Sequence, residues 1–194
     1  TLSKIMNADE VVKSPGISDT IQLIIDLKER GVSVVSEIEF AARYTDAKLI
    51  CITGSNGKTT TTLMTYHIMY NAGFNVAVAG NIGESFAKLV AENKHDYYVL
   101  ELSSFQLDGM FSFKANIAML LNITPDHLDR YDNNMQKYVE SKLRILQNQT
   151  EEDVLIYNAD DEVIVKELQK RTIKARMLPF SMEREISEGA CVIN

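Results

Sequence analysis

A short glycine-containing segment constrains the fold of this 194-residue chain more than any other feature. Residues 49–53 form an apolar run, and residues 54–60 read Gly-Ser-Asn-Gly-Lys-Thr-Thr. A buried strand that turns through such a loop directly into a helix points backbone N–H groups at an anion. Lys58 adds a positive charge, and the Thr59 hydroxyl can hold Mg²⁺. The segment therefore predicts a phosphate-binding loop whose ligand is a nucleoside triphosphate.

The spacing of this loop leaves an alternative open. In the common P-loop pattern the first glycine would fall at Ile52, which here belongs to the apolar run, so the loop is shorter. On this segment alone, an ordinary strand-to-helix crossover turn with a lysine at the helix start would account for the same residues. Other segments of the sequence are needed to distinguish a phosphate-binding loop from such a turn.

Composition narrows the functional classes. With 45% hydrophobic residues the chain can bury a sizeable core. The net charge of −7, from 27 acidic and 20 basic residues, opposes nucleic acid as a partner. The sequence contains neither a signal peptide pattern nor an apolar run of about 18 residues, the length that a membrane span requires. We therefore predict a cytoplasmic protein that contacts neither nucleic acid nor a membrane.

Short apolar runs alternate with helical patterns along the chain. Strands are predicted at residues 10–13, 32–35, 48–53, 75–79, 97–101, 117–122 and 154–158, and helices near residues 20–30, 37–43, 60–72, 85–93 and 133–147. This alternation predicts the α/β class, with a mostly parallel sheet and helices on both faces. A polar stretch at residues 44–47 predicts a domain boundary near residue 45. Both chain ends, including the strand-like residues 190–194, interrupt a pattern, which predicts a fragment.

Polar residues follow the predicted strand at residues 97–101. An acid at the carboxyl end of a strand beside a phosphate loop can hold Mg²⁺, and Glu101 occupies that position opposite Thr59. A strand-end acid that faces water is the common alternative. Residues 102–107 crowd more polar side chains into the next turn, which are suited to orienting a substrate.

A second polar cluster follows the strand predicted at residues 117–122. His127 lies beside Asp126 in this cluster, and the two could ligate a metal or contact a substrate. His67 falls within a helical pattern and His95 precedes a strand. Neither of these two has comparable neighbours, so we expect structural or surface roles for both.

Lys142 occupies a core-facing position in a helical pattern. The other members of the same face are Met135, Tyr138, Val139, Leu143 and Leu146. Burying an unpaired ammonium group costs several kcal/mol. Lys142 must therefore snorkel to water, pair with an acid such as Glu101 or Asp126, or change its chemistry. On the pattern alone, snorkelling is the favoured interpretation.

Taken in order, these motifs resemble the Mur ligase family of ATP-dependent amino-acid ligases. The supporting segments are residues 14–16, 54–60, 80–83, 101–107, 122–131 and 141–144. The phosphate loop is shared by the whole family, whereas the Glu-Leu-Ser-Ser-Phe-Gln-Leu segment and the Ser-Pro-Gly turn resemble its D-glutamate-adding branch. The resemblance implies a P-loop NTPase-like central domain at residues 46–194, incomplete at its end. It also implies that residues 1–45 belong to a UDP-binding Rossmann-like domain and that a C-terminal domain is absent.

The resemblance implies a reaction of peptidoglycan synthesis, the addition of D-glutamate to UDP-N-acetylmuramoyl-L-alanine. ATP would phosphorylate the terminal carboxylate of the substrate, and the amine of D-glutamate would attack the acyl phosphate. The resulting tetrahedral intermediate would collapse to an amide and phosphate. The full-length protein is expected to be a monomer, and the 194-residue chain alone is expected to be inactive, because it carries only the phosphate and metal half of the site.

The resemblance also assigns roles to single positions. The ATP phosphates would be held by Gly54, Ser55, Asn56, Gly57, Lys58, Thr59 and Thr60. Two Mg²⁺ ions are implied, one on Thr59 and Glu101 and one shared by His127 and a CO₂-derived carbamate on Lys142. Lys58, His127 and Lys142 would be the catalytic residues. Substrate contacts are implied for Asn81, Ser103, Gln106 and His127 at the muramoyl-alanine part and for Ser14 and Gly16 near UDP.

Three alternatives remain open at this point. The first is another ligase of the family, one that adds a different amino acid or a folylpolyglutamate synthase. The second is a P-loop phosphotransferase or NTPase that is not a ligase, which would not need a carbamylated lysine. The third is a nucleotide-binding module without turnover.

Overall fold

The computed structural model describes residues 5–92 and 94–192. Its strands are β1 (Glu10–Lys13), β2 (Ser33–Ser36), β3 (Lys48–Thr53), β4 (Val76–Gly80), β5 (Tyr97–Glu101), β6 (Ile117–Leu120), β7 (Val154–Asn158), β8 (Arg176–Ser181) and β9 (Ala190–Cys191). Its helices are α1 (Gln22–Glu29), α2 (Glu37–Ala42), α3 (Lys58–Asn71), α4 (Phe86–Glu92), α5 (Ser104–Leu107), α6 (Met135–Leu143) and α7 (Glu162–Gln169). No helix within the described ranges is long and apolar enough to cross a membrane.

Two parallel sheets organise the described residues. β1 pairs with β2, and the other seven strands form one sheet in the order β4-β5-β3-β6-β7-β8-β9. Leu49 and Cys51 of β3 face the larger core, which α2, α4, α6 and α7 cover, whereas Ile50 and Ile52 face α3 on the other side. The predicted α/β class, parallel sheet and helices on both faces are therefore confirmed. The carboxyl ends of the parallel strands meet at one edge, where sheets of this kind bind ligands.

Most predicted elements recur with shifted ends. The strands β1, β3, β5 and β7 have the predicted bounds. Helix α3 begins earlier than predicted, at Lys58, because Gly57 takes a left-handed φ of 80° and ends the loop there. The predicted helix at residues 133–147 divides into α6 and a 3₁₀ turn at Arg144–Leu146. The predicted helix at residues 85–93 and the strand-like run at residues 190–194 end at residues 93 and 193–194, which lie outside the described residues.

Helix α2 lies in the segment predicted to belong to the first domain, yet it packs on the main sheet. Ile38 and Ala41 belong to the larger hydrophobic core. The buried Glu39 carboxylate accepts hydrogen bonds from three consecutive backbone N–H groups at residues 111–113, at 2.8–3.1 Å. These contacts fasten α2 to the loop that precedes β6. The domain boundary near residue 45 stays a prediction.

Candidate nucleotide site

The glycine loop joins β3 to α3 at the carboxyl edge of the sheet. The first N–H groups of a helix have no partner within it and carry a partial positive charge, so the start of α3 is suited to an anion. The Lys58 ammonium group lies over this loop and donates to the carbonyls of Gly54 at 3.0 Å and Ser55 at 2.9 Å. A Cβ atom at Gly54 would come within 3.0 Å of Leu121, so the close packing favours glycine there.

The loop is fastened to the segment that follows β6. Ser55 donates its backbone N–H to the Asn122 carbonyl at 2.9 Å and its hydroxyl to the Thr124 carbonyl at 2.8 Å. The side chain of Asn122 accepts from the Asn56 N–H at 2.8 Å and donates to the Asn56 carbonyl at 3.0 Å. Asn122 and Thr124 were not predicted as partners of the loop, because they reach it through the pairing of β3 with β6, which the order of the elements along the chain does not reveal.

Glu101 joins the phosphate loop to the ends of β4 and β5. Its carboxylate is 1% exposed and accepts a hydrogen bond from the Thr59 hydroxyl at 2.8 Å and another from the Asn81 amide at 2.9 Å. Gly80 approaches so closely that a Cβ atom there would collide with the Glu101 carbonyl oxygen. A carboxylate beside a threonine hydroxyl is an oxygen donor set that suits Mg²⁺, so Thr59 and Glu101 fit the ion that the sequence implied.

Lys142 is buried beside the loop, with 2% of its side chain exposed. Its ammonium group donates to the Gly54 carbonyl at 2.7 Å and lies 4.8 Å from the centre of the Tyr138 ring. Within the described ranges it forms no ion pair. Snorkelling to water, the interpretation favoured from the pattern, is therefore wrong, because α6 directs this side chain toward the loop. Burial and the nearby positive charge of Lys58 lower the pKa of Lys142 to about 7.

His127 lies in an exposed turn and has a left-handed φ of 49°. Its imidazole lies 3.6 Å from the Asp126 carboxylate, and its ring centre lies 5.4 Å from that of Phe105. Phe105 in turn stacks on Tyr131, which closes the 3₁₀ turn Leu128–Tyr131. Across residues 5–92 and 94–192 no group of three or more acidic, His or Cys side chains is arranged to hold a metal. A metal role for His127 stays a prediction.

The remaining predicted substrate contacts lie in two separate places. Ser103 and Gln106 form the capping box of α5: the Ser103 hydroxyl accepts from the Gln106 N–H at 3.3 Å, and Gln106 Oε1 accepts from the Ser103 N–H at 3.0 Å. Ser14 and Gly16 lie in a turn after β1, where the Ser14 carbonyl accepts from the Ile17 N–H at 3.0 Å. The substrate roles of all four stay predictions.

The chain matches one protein family and is similar to curated relatives that share one name. The Mur ligase middle domain family matches residues 52–190. Two curated relatives are named UDP-N-acetylmuramoylalanine--D-glutamate ligase. The Bacteroides fragilis protein is 62% identical over 185 residues and the Christiangramia forsetii protein is 56% identical over 194 residues. The matches cover 95% and 100% of this chain but 42% and 44% of those relatives, so the chain spans less than half of their length.

Solved structures share the fold at low sequence identity. A UDP-N-acetylmuramoyl-L-alanyl-D-glutamate--2,6-diaminopimelate ligase matches with a TM-score of 0.65 and 18% identity, over 95% of this chain and 50% of that one. The MurF ligase from Thermotoga maritima in complex with ADP matches with a TM-score of 0.58 and 17% identity, over 93% of this chain and 52% of that one. The family match contains the phosphate loop, Glu101 and Lys142. The chain belongs to the Mur ligase family.

Proposed function

We propose that this chain is the nucleotide-binding part of an ATP-dependent ligase that adds D-glutamate to UDP-N-acetylmuramoyl-L-alanine in the cytoplasmic synthesis of peptidoglycan. The observation that carries the proposal is the convergence of Lys58, Lys142 and the Thr59–Glu101 pair on one glycine loop. Relatives up to 62% identical are named UDP-N-acetylmuramoylalanine--D-glutamate ligase, which supports the choice of D-glutamate. Because the chain spans 42% of such a relative, the activity belongs to a longer protein, which we propose is a monomer.

The loop would bind the phosphates of ATP. Backbone N–H groups of residues 57–60 would hold the phosphate oxygens, and Lys58 would neutralise the charge that develops on the transferred phosphoryl group. Thr59 and Glu101 would hold Mg²⁺, which when bound neutralises phosphate charge. Asn81 would orient Glu101 through the hydrogen bond between their side chains.

Lys142 would act after conversion to a carbamate. A neutral amine attacks CO₂, forms the N–C bond and releases a proton, and the product is an anion with two oxygen donors. The pKa of about 7 keeps a large fraction of Lys142 in the neutral form near neutral pH. The carbamate and His127 would together hold the second Mg²⁺.

Substrate would approach from the carboxyl edge of the sheet. We propose that Asn81, Ser103, Gln106 and His127 contact the muramoyl-alanine part and that Ser14 and Gly16 contact the UDP part. Residues 1–45 would then belong to the UDP-binding domain and residues 46–194 to the ATP-binding domain. The acyl phosphate of the substrate would accept the D-glutamate amine, with loss of phosphate.

Phosphate release by the full-length protein tests this function. ATP, Mg²⁺ and UDP-N-acetylmuramoyl-L-alanine are supplied with D-glutamate, L-glutamate, L-lysine, meso-diaminopimelate or no amino acid. Release that depends on D-glutamate is expected. Dependence on another amino acid would keep the ligase class and reject the branch. Release that ignores both substrate and amino acid would indicate a simple NTPase, and no release with bound ATP would indicate a binding module.

A further inference from the structure

Asn122 contacts the phosphate loop with both atoms of its side-chain amide. Its Oδ1 accepts from the Asn56 N–H at 2.8 Å, and its Nδ2 donates to the Asn56 carbonyl at 3.0 Å. A carboxamide offers an acceptor and a donor side by side, so it can bind the N–H and the C=O of one residue together. Asn122 therefore holds both peptide units that flank Asn56.

The peptide unit after Asn56 controls the direction of the Gly57 N–H. A trans peptide is planar, and its C=O and N–H point in opposite directions. The described residues contain no cis peptide. Because Asn122 binds the Asn56 carbonyl, the Gly57 N–H must point away from Asn122. The left-handed φ of 80° at Gly57 then leads the chain directly into α3.

The peptide unit before Asn56 controls the Ser55 carbonyl in the same way. The Asn56 N–H points at Asn122, so the Ser55 carbonyl points to the opposite side. There it accepts a hydrogen bond from the Lys58 ammonium group at 2.9 Å. One side chain outside the loop thus sets the direction of a backbone donor and of the carbonyl that holds the loop lysine.

We propose that Asn122 is a positioning residue for nucleotide binding, which aims the Gly57 N–H at the phosphates and sets the Ser55 carbonyl beneath Lys58. This inference rests on the proposed function, since that function supplies the nucleotide. Asn122 itself takes no part in the proposed chemistry. Its loss should raise the KM for ATP, with a smaller decrease in kcat because the Ser55 carbonyl also holds Lys58.

Asn158 at the end of β7 provides a matched control. Its Nδ2 donates to the Leu121 carbonyl at 3.1 Å, and its Oδ1 accepts from the Asp160 N–H at 2.9 Å. It therefore makes the same two kinds of hydrogen bond as Asn122, at the neighbouring strand end. Neither bond reaches residues 54–60.

The test compares Asn122→Ala, Asn122→Asp and Asn158→Ala in the full-length protein. ADP affinity is measured by calorimetry, the KM for ATP by phosphate release, and folding by thermal unfolding. We expect Asn122→Ala to weaken ADP binding about tenfold, the size expected for lost hydrogen bonds. Asn122→Asp should weaken it further, because its carboxylate repels the Asn56 carbonyl and the phosphates.

The control distinguishes an effect on the position of the loop from a loss of folding stability. Asn158→Ala should change ADP affinity by no more than about twofold, while its melting temperature falls as much as that of Asn122→Ala. Unchanged ADP affinity in both Asn122 variants, or an equal loss in Asn158→Ala, would overturn the proposal. A wild-type protein that fails to bind ADP would instead contradict the proposed function.

Discussion

Two buried charged side chains in this protein have contrasting surroundings. Glu39 on α2 is 1% exposed, and its carboxylate accepts from the backbone N–H groups of residues 111–113 and from the hydroxyl of the middle residue. Lys142 on α6 is 2% exposed, and its ammonium group donates to one carbonyl, that of Gly54. The first charge is saturated with partners and the second is not.

The contrast appears in the pKa values of the two groups. Burial alone would raise the pKa of Glu39, but its hydrogen bonds to residues 111–113 outweigh burial and hold the pKa below its usual value. Burial, followed by repulsion from Lys58, lowers the pKa of Lys142 to about 7. A saturated buried charge anchors the fold, whereas an undersaturated one beside a ligand loop indicates chemistry. The two charges are almost equally buried and differ in the number of their partners, and this difference supports the role that we propose for Lys142.

The largest expected effect is the loss of activity in Lys142→Ala. Removing a group that stabilises transition-state charge costs about 10²–10³ in rate, and we expect a loss at the upper end of that range. A short carboxylic acid should restore part of the activity, because it can replace the carbamate oxygens in the space left by the side chain. Phosphate release by the full-length protein measures both effects.

Lys137→Ala is the matched control on the same helix, since Lys137 is exposed and pairs with Asp132 at the surface. Its activity should stay near the wild-type value. Full activity in Lys142→Ala would contradict the proposed role of Lys142 in the reaction.

The next effect is on stability, in Glu39→Ala. Three N–H groups and a hydroxyl lose their buried acceptor, so the free energy of unfolding should fall by about 3 kcal/mol. Glu37 on the same helix accepts from Ser85 and from the Ala87 N–H and is less buried. Glu37→Ala should therefore cost about 1 kcal/mol. Urea unfolding measures the free energy of unfolding of both variants. Equal losses would contradict the view that the number of hydrogen-bond partners of Glu39 determines its contribution to stability.

The smallest effect is a pH dependence of stability that Lys142 contributes. Its pKa is depressed in the folded state, so between pH 7 and 10.5 the unfolded chain binds the proton and the folded chain does not. Stability should therefore rise by about 2 kcal/mol from pH 7 to pH 9 relative to Lys142→Met, which keeps a side chain of similar size without the charge. Urea unfolding of both proteins at the two pH values measures this difference, and parallel pH profiles would contradict the assigned shift.

The accuracy of the sequence-based predictions depended on how local each signal was. The loop between β3 and α3 was predicted from consecutive residues, and the core-facing position of Lys142 was predicted from helical spacing. Helix α5 was missed because four residues are too few to show a periodicity. The alternatives left open for Lys142 could not be resolved, because its hydrogen-bond partner, Gly54, lies 88 positions away.

The sequence by itself determined the parallel α/β architecture, the phosphate loop and the acid at the end of β5, because strands, turns and helix starts depend on neighbouring residues. Only the tertiary structure decided that β6 lies beside β3. That pairing brings Asn122 to Asn56 across 66 positions. The same fold brought the N–H groups of residues 111–113 to Glu39 on α2 and the Gly54 carbonyl to Lys142, since the partners of a buried charge are set by packing between distant segments.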